Sequence, residues 1–304
     1  MENLCQKCGE KAIIFIPHQG RWLCEKHFIS YFFQKLEKTI KHYRLLSKGD
    51  KIFLAVSGGK DSISLWDALS HIGYKPIGYY IKLGLGPHED EIIEKIDRFA
   101  EEKGLEFRVF DFPKVYGKTV PEIAHAKNRR ICSVCGLVKR YHFNKIATQE
   151  GFDVVVTGHN LDDEITSIAI DNIRWEIKEL GRKDGPLMEE WHDKFAKRAK
   201  PFALFTDEEI RIFAKLRKLS YYEKECPYHS VHSTRLDLKR MFNELDKLHP
   251  GMKIHYYKDF LKIKKIFEPY LNELPLKECK VCKMPTRIGI CAFCRLMDKD
   301  KTEV

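Results

Sequence analysis

The sequence predicts an α/β fold, a mostly parallel sheet with helices on both faces, flanked at each end by a small metal-stapled module. Three observations predict it. Short apolar runs, KIFLAVS (51–57), KPIGYYIKLG (75–84), LEFRVFDF (105–112) and FDVVVTG (152–158), alternate with stretches of helical periodicity. Alternation at that spacing means right-handed crossovers between parallel strands. Four-ligand Cys/His sets lie at both termini, and the string SGGKDS falls where the first apolar run meets its helix. The expected organisation is a Rossmann-like sheet domain over residues 29–272 between zinc modules at 1–28 and 273–304.

Each element has its own signal. FISYFFQKLEKTIKHYRLL (28–46) repeats apolar residues at helical spacing, and Lys48-Gly49-Asp50 ends it before KIFLAVS, a run suited to a buried strand. Helices are expected from Asp61 to His71 and near 88–103, 134–150 and 161–180, alternating with the strands. Residues 181–202, with GRKDGP and the basic KFAKRAKPF, hold neither period and read as a mobile or RNA-facing connection. Helices at 206–218, 233–247 and 255–272 complete the chain before the last module.

Size and charge narrow the function. A chain of 304 residues supports one large core with small appendages. Its net charge of +10 favours a polyanionic partner such as nucleic acid over an acidic protein or a neutral metabolite. The opening MENLCQKCGE is polar and already holds metal ligands, so it does not read as a signal peptide. No apolar run approaches a membrane span, and a cytoplasmic location is expected, where cysteines serve metals and chemistry more often than disulfides. The charged fraction of 32%, with few Asn and Gln, is a bias seen in heat-adapted proteins.

The ten cysteines fall into three groups. Cys5 and Cys8 precede Cys24 and His27; Cys279 and Cys282 precede Cys291 and Cys294. Four ligands in two pairs can surround one tetrahedral ion, so each set reads as a closed zinc site, two zinc ions in all. Lys7, Lys11, Arg21 and Lys26 flank the first site; Lys277, Lys280, Lys283, Arg287 and Arg295 flank the second, which suggests contacts to RNA phosphates. Cys132, Cys135 and Cys226 remain.

The catalytic signal is AVSGGKDS. Ser57, Gly58, Gly59, Lys60, Asp61 and Ser62 stand at the carboxyl end of a buried strand, where open α/β sheets bind ligands. Two glycines let backbone approach phosphate oxygens, the helix N-terminus adds N–H groups, and the hydroxyls and Lys60 supply donors. The spacing does not fit a Walker A loop. VVTGHNLDDE (155–164) ends another strand with Gly158, His159, Asn160, Asp162 and Asp163, and such carboxylates can hold magnesium or take a proton.

SGGKDS resembles the PP-loop of the ATP pyrophosphatase superfamily. That resemblance implies ATP with Mg2+, cleaved between its α and β phosphates to adenylate an oxygen, with adenine received near Ala55 and Ile81. CSVCGLVKR, the later Cys226 of ECPYH, and GHNLDDE together resemble the tRNA thiolation group of that superfamily, closest to its TtuA type; terminal zinc modules are carried by TtuA-like and wobble-uridine members alike and not by TtcA-like ones. The resemblance covers essentially the whole chain. It implies that Cys132, Cys135 and Cys226 hold a [4Fe–4S] cluster whose fourth iron has no protein ligand and is free to carry sulfide. It also makes Lys139 and Asp163 candidates for polarising the nucleotide and moving protons. The sulfur donor it implies is free sulfide or a ubiquitin-like carrier ending in a thiocarboxylate.

The cysteine count leaves other readings open. A persulfide relay would use Cys132 or Cys135 with Cys226, although a third cysteine in a Cys-x-x-Cys pair is superfluous to it. A third zinc site would need His229 or His232. The expected reaction is ATP-dependent 2-thiolation of a tRNA uridine, with the T-loop ribothymidine favoured over the anticodon wobble uridine because heat-adapted composition suits a modification that stiffens tRNA. A homodimer is left open.

Overall fold

A computed structural model describes residues 3–183, 185–188, 195–228, 233–271 and 275–298. The N-terminal module is a hairpin, β1 (Ile14–Ile16) and β2 (Arg21–Leu23), leading into α1 (Glu25–Tyr43). β3 (Ile52–Ala55), α2 (Lys60–His71), β4 (Ile77–Lys82), α3 (His88–Lys103) and β5 (Phe107–Asp111) then alternate as expected. Two helices that periodicity did not reveal, α4 (Phe112–Tyr116) and α5 (Val120–Ala126), precede α6 (Ile131–Glu150), β6 (Val154–Thr157) and α7 (Leu161–Ile173). They are too short to show a period, although the capping box of Thr119 and Glu122 marks the start of α5.

Beyond α7 the structure corrects two expectations. The helix expected over 161–180 is broken: Trp175 adopts a left-handed conformation (φ 53°), and α8 (Ile177–Gly181) starts afresh. Residues 181–202 are not merely a connection, because β7 (Leu187–Met188) and β8 (Lys197–Ala199) extend the sheet. Strands of two and three residues are too short to show a period in the sequence. α9 (Asp207–Leu216), α10 (Thr234–Leu248), α11 (Met252–Ile263), a 3-10 segment Lys264–Tyr270, the short β9 (Lys277–Glu278) and β10 (Pro285–Thr286), and α12 (Ala292–Leu296) follow. The helix expected over 255–272 thus starts three residues earlier and tightens at Lys264. His229 and His232 lie outside the described residues.

The sheet order is β5-β4-β3-β6-β8-β7, parallel except for the last pair. Chain order runs outward from β3 to β5, then resumes on the other side of β3 with β6. The crevice outside the carboxyl ends of β3 and β6 is therefore a topological switch point, the default ligand site of such a sheet.

One aromatic cluster joins the first module's helix to the sheet domain. Phe32 stacks on Phe213 at 3.9 Å and packs against Phe202 and Phe205. Above it lies a buried ion pair, Lys35 Nζ to Glu209 at 2.7 Å, with Tyr31 Oη also donating to Glu209 at 2.8 Å. Glu209 closes the capping box of α9 with Thr206 as well. Burial alone would raise its pKa, but Lys35 and these donors outweigh burial and hold the carboxyl below its ordinary value.

Removing one charge of a buried pair leaves the other uncompensated. Glu209→Gln should lower unfolding stability by about 3 kcal/mol at neutral pH in urea titrations. Because the folded-state pKa of Glu209 is depressed, its contribution is complete above the usual carboxylate range and fades as pH falls through the lowered value. The stability gap between wild type and variant should accordingly narrow in acid.

Candidate active site

The loop between β3 and α2 is shaped by two glycine contacts. Gly58 has φ 81°, and a Cβ there would stand 2.5 Å from Ile92 Cγ2 of α3. A Cβ on Gly158 would press on the backbone of Asp61 and Ser62 at 3.0 Å, so the loops after β3 and β6 touch. Within the first loop, Ser62 Oγ accepts from Ser57 N at 3.1 Å and donates to Gly59 O at 3.0 Å. Gly59 caps α2 without any side-chain bond, which leaves the helix's first N–H groups open to a ligand's oxygens.

Together these loops form a cleft of about 330 Å³. Of the residues singled out in the sequence, Ala55, Ser57, Asp61, Ser62, Ile81, Lys139, Gly158, His159 and Asp163 line it. Tyr80, Phe143 and Thr157 line it too and were not singled out; only Thr157, as the last residue of its strand, carried a positional hint. Lys60 turns aside. Its Nζ lies 2.5 Å from Asp61 Oδ1 and 3.0 Å from Asp207 Oδ1. Burial disfavours its charge, but the two carboxylates outweigh burial and raise its pKa. Burial likewise pushes the Asp61 carboxyl up against the pull of Lys60.

Asp162 and Asp163 separate into different environments. Asp162 is buried, accepts Lys253 Nζ at 2.6 Å and Asp207 N at 2.8 Å, and faces away from the cleft. The expectation that both carboxylates serve magnesium or a proton fails for Asp162, whose oxygens tie α7 to α9 and α11. Asp163 faces the cleft and pairs with Lys239 at 2.6 Å. Burial would raise its pKa, but Lys239, His159 and the Asn160 amide prevail and hold it below its ordinary value.

α6 runs along the same cleft. Cys132, Cys135 and Lys139, at spacings of three and four, share one face of it. The segment carrying Cys226 is pinned on both sides: Tyr222 N donates to Gly58 O at 2.8 Å, and Cys132 Sγ approaches Tyr228 O at 3.6 Å. All three cysteines are free thiols, and burial pushes the half-buried Cys135 up against the pull of Lys139. Their sulfurs are not gathered within the 4.8 Å that unites each terminal set. A four-iron cube holds thiolates farther apart than one ion does, so three cysteines spread over α6 and a separate loop fit the spacing of a cluster.

The terminal sets have single-ion geometry. His27 Nδ1 lies 3.4 Å from Cys5 Sγ and 3.3 Å from Cys24 Sγ, and Cys8 and Cys24 sulfurs are 3.6 Å apart. Cys282 and Cys291 sulfurs are also 3.6 Å apart. A zinc tetrahedron with Zn–S near 2.3 Å and Zn–N near 2.0 Å has edges of roughly 3.5–3.8 Å, so both sets fit zinc. The second module packs on α6 through Phe293 stacked on Tyr141 at 3.9 Å, and on the end of α5 through Lys127 bound to Asp298 at 2.6 Å.

A strand-loop-helix phosphate cradle at the switch point, with a carboxylate and a lysine across the cleft, defines a nucleotide-activating enzyme of the PP-loop class. Comparison with known proteins agrees. Residues 29–231 match the PP-loop domain family, and residues 4–29 match the N-terminal LIM domain of the 2-thiouridine synthetase TtuA. The chain is 39% identical over 298 residues to the tRNA-5-methyluridine(54) 2-sulfurtransferase of Thermus thermophilus, covering 97% of this chain and 91% of that protein. It is 38% identical to the enzyme of the same name from Pyrococcus horikoshii, over 96% of this chain and 92% of that one. The solved structure of the U34-tRNA thiolase NcsA from Methanococcus maripaludis, with its [4Fe–4S] cluster, matches with TM-score 0.80 at 27% identity, over 97% and 96% of the two chains. The chain belongs to the TtuA-type family of PP-loop tRNA 2-sulfurtransferases.

The two neighbouring aspartates should respond differently to substitution. Asp162→Asn strands the buried Lys253 and should cost about 3 kcal/mol in unfolding stability. Asp163→Asn removes a helix-cap partner and a partly exposed pair, and should cost no more than about 1 kcal/mol. Equal losses in parallel denaturant titrations would contradict this division of labour.

Proposed function

We propose that this protein thiolates the C2 position of 5-methyluridine 54 in tRNA, using ATP to activate the C2 oxygen. Relatives named for position 54 reach 38–39% identity, and the N-terminal LIM match is to the same branch. The observation that carries the reading is the shared face of α6, with Cys132 and Cys135 one to two turns from Lys139 and the PP-loop cleft below.

The residues divide the work as follows. The N–H groups of the SGGKDS loop and the first turn of α2 bind phosphate, with Ser57 and Ser62 as hydroxyl partners. Ala55 and Ile81 receive the adenine. The C2 oxygen of the uridine attacks the α-phosphorus and pyrophosphate leaves; sulfur then attacks C2, and AMP departs with the original oxygen. Lys139 balances charge gathering on the α-phosphate. An aspartate held below its ordinary pKa is a weak base at neutral pH, so Asp163 is better suited to magnesium or to placing charge than to abstracting a proton. When bound by Cys132, Cys135 and Cys226, a [4Fe–4S] cluster supplies an iron open to sulfide. The donor is free sulfide or a thiocarboxylate-ended carrier protein. The modules at 1–28 and 273–304 each hold one zinc ion, and the sheet domain spans 29–272.

Zinc has no redox chemistry, whereas a cluster with one unprotected iron is open to oxidative loss. Protein purified in air should keep about two zinc ions per chain, one per closed module, while iron and thiolation fall together. Anaerobic reconstitution with iron and sulfide should restore both in wild type and neither in Cys132→Ala, Cys135→Ala or Cys226→Ala. Full thiolation by iron-free protein would replace this mechanism with a persulfide relay.

A further inference from the structure

A second basic feature lies outside the cleft. The N-terminal module, α1 and α11 enclose a groove of about 880 Å³. Its walls carry Lys7 and Arg21 from the module, Lys38 and Lys41 from α1, and Lys258 from α11, all exposed. Helical period accounts for the α1 wall. Phe28, Phe32, Leu36 and Ile40 turn into the core, so Lys38 and Lys41 stand on the opposite side. Of the module's flanking cations, Lys11 and Lys26 are not part of this wall.

Charge in the groove is one-sided. None of its described lining residues is acidic, and among the described residues no carboxylate forms an ion pair with any of those five cations. The acid beneath it, Glu209, is buried and already neutralised by Lys35. Five like charges brought together from three elements repel one another, and such a concentration focuses a positive field on any polyanion that enters.

Position links the groove to chemistry. In the first turn of α9, Asp207 holds Lys60 of the PP-loop at 3.0 Å, and two residues later Glu209 holds Lys35 in the groove at 2.7 Å. Residues two apart on a helix point to nearly opposite sides, so the first turn of α9 stands between the PP-loop and the groove and ties to both.

We propose that this groove binds the phosphate backbone of tRNA away from the uridine being modified. The proposal rests on the tRNA 2-thiolation reading above. Phosphate contacts position a nucleic acid without reading its sequence, so the groove sets how the RNA lies across the enzyme while the cleft selects the base.

The test uses full-length zinc- and cluster-loaded protein and an unmodified tRNA transcript. In the triple variant Lys38→Glu, Lys41→Glu, Lys258→Glu, fluorescence anisotropy should show tRNA binding weakened at least about tenfold. The log–log salt slope should shrink by about 2 to 3, at roughly 0.7–0.9 for each phosphate no longer neutralised. AMP formation at saturating tRNA should be unchanged, as should zinc content and melting temperature. The matching triple Lys→Arg variant should bind as wild type does, and so should Lys75→Glu, an exposed residue ahead of β4 at the opposite end of the sheet. Unchanged affinity and salt slope in the triple Glu variant overturns the groove alone. Weakened affinity for an acidic sulfur-carrier protein with tRNA binding intact reassigns the groove to that partner. Wild-type protein that binds no tRNA overturns the thiolation reading and the groove together.

Discussion

The structure depends on where α6 is held. Its first two turns carry Cys132 and Cys135, and Lys139 follows on the same face, so one rod sets two of the three central cysteines in register with the cleft that Lys139 lines. Seven residues of helix rise about 10 Å, a span that would drift if the rod could tilt. It cannot tilt freely. Val134 and Val138 are buried beside Phe112 and Val120, and the second metal module clamps the outer side through Phe293 on Tyr141. A module that reads as a remote appendage in the sequence is part of the active site's supporting wall.

A second set of ties fixes the opposite side of the cleft. Asp162 joins the loop after β6 to the start of α9 and to Lys253 of α11, while Asp207 holds Lys60 and Glu209 holds Lys35. Three acids gathered at one helix start therefore connect the PP-loop, the GHNLDD loop and the N-terminal module's helix. The Lys35–Glu209 and Lys253–Asp162 pairs are buried, and such pairs add little net stability over apolar packing, but breaking one is costly, so they fix arrangement more than they stabilise it.

Much of the fold and part of the site could be read in advance, and the division has physical causes. The SGGKDS loop and both four-ligand sets are local, with every residue close in sequence, so spacing alone exposed them. The long helices α1, α3 and α6 announced themselves by period. β7 and β8 did not, because strands of two and three residues are too short to show one. The separation of Asp162 from Asp163 was equally hidden, since adjacent residues on a helix differ by about 100° and only tertiary packing decides which faces a cleft. Lys239, Asp207 and Glu89 had no local signature; Glu89 is buried, accepting the N–H groups of Leu83 and Leu85 beside the cleft. The approach of Cys226 to α6 came from family resemblance, because nothing in the intervening chain marks it.

The central claim is that the cleft activates the uridine's own C2 oxygen with ATP before sulfur replaces it. The direct measurement is isotopic. Cluster-loaded protein under anaerobic conditions is given ATP, sulfide and tRNA carrying oxygen-18 at C2 of the target uridine, and the released AMP is analysed by mass spectrometry. If the oxygen is adenylated and then displaced, each thiolated tRNA yields one AMP bearing the label on its phosphate. Unlabelled AMP alongside thiolated tRNA would contradict the account, because the oxygen would then have left by a route that ATP does not touch.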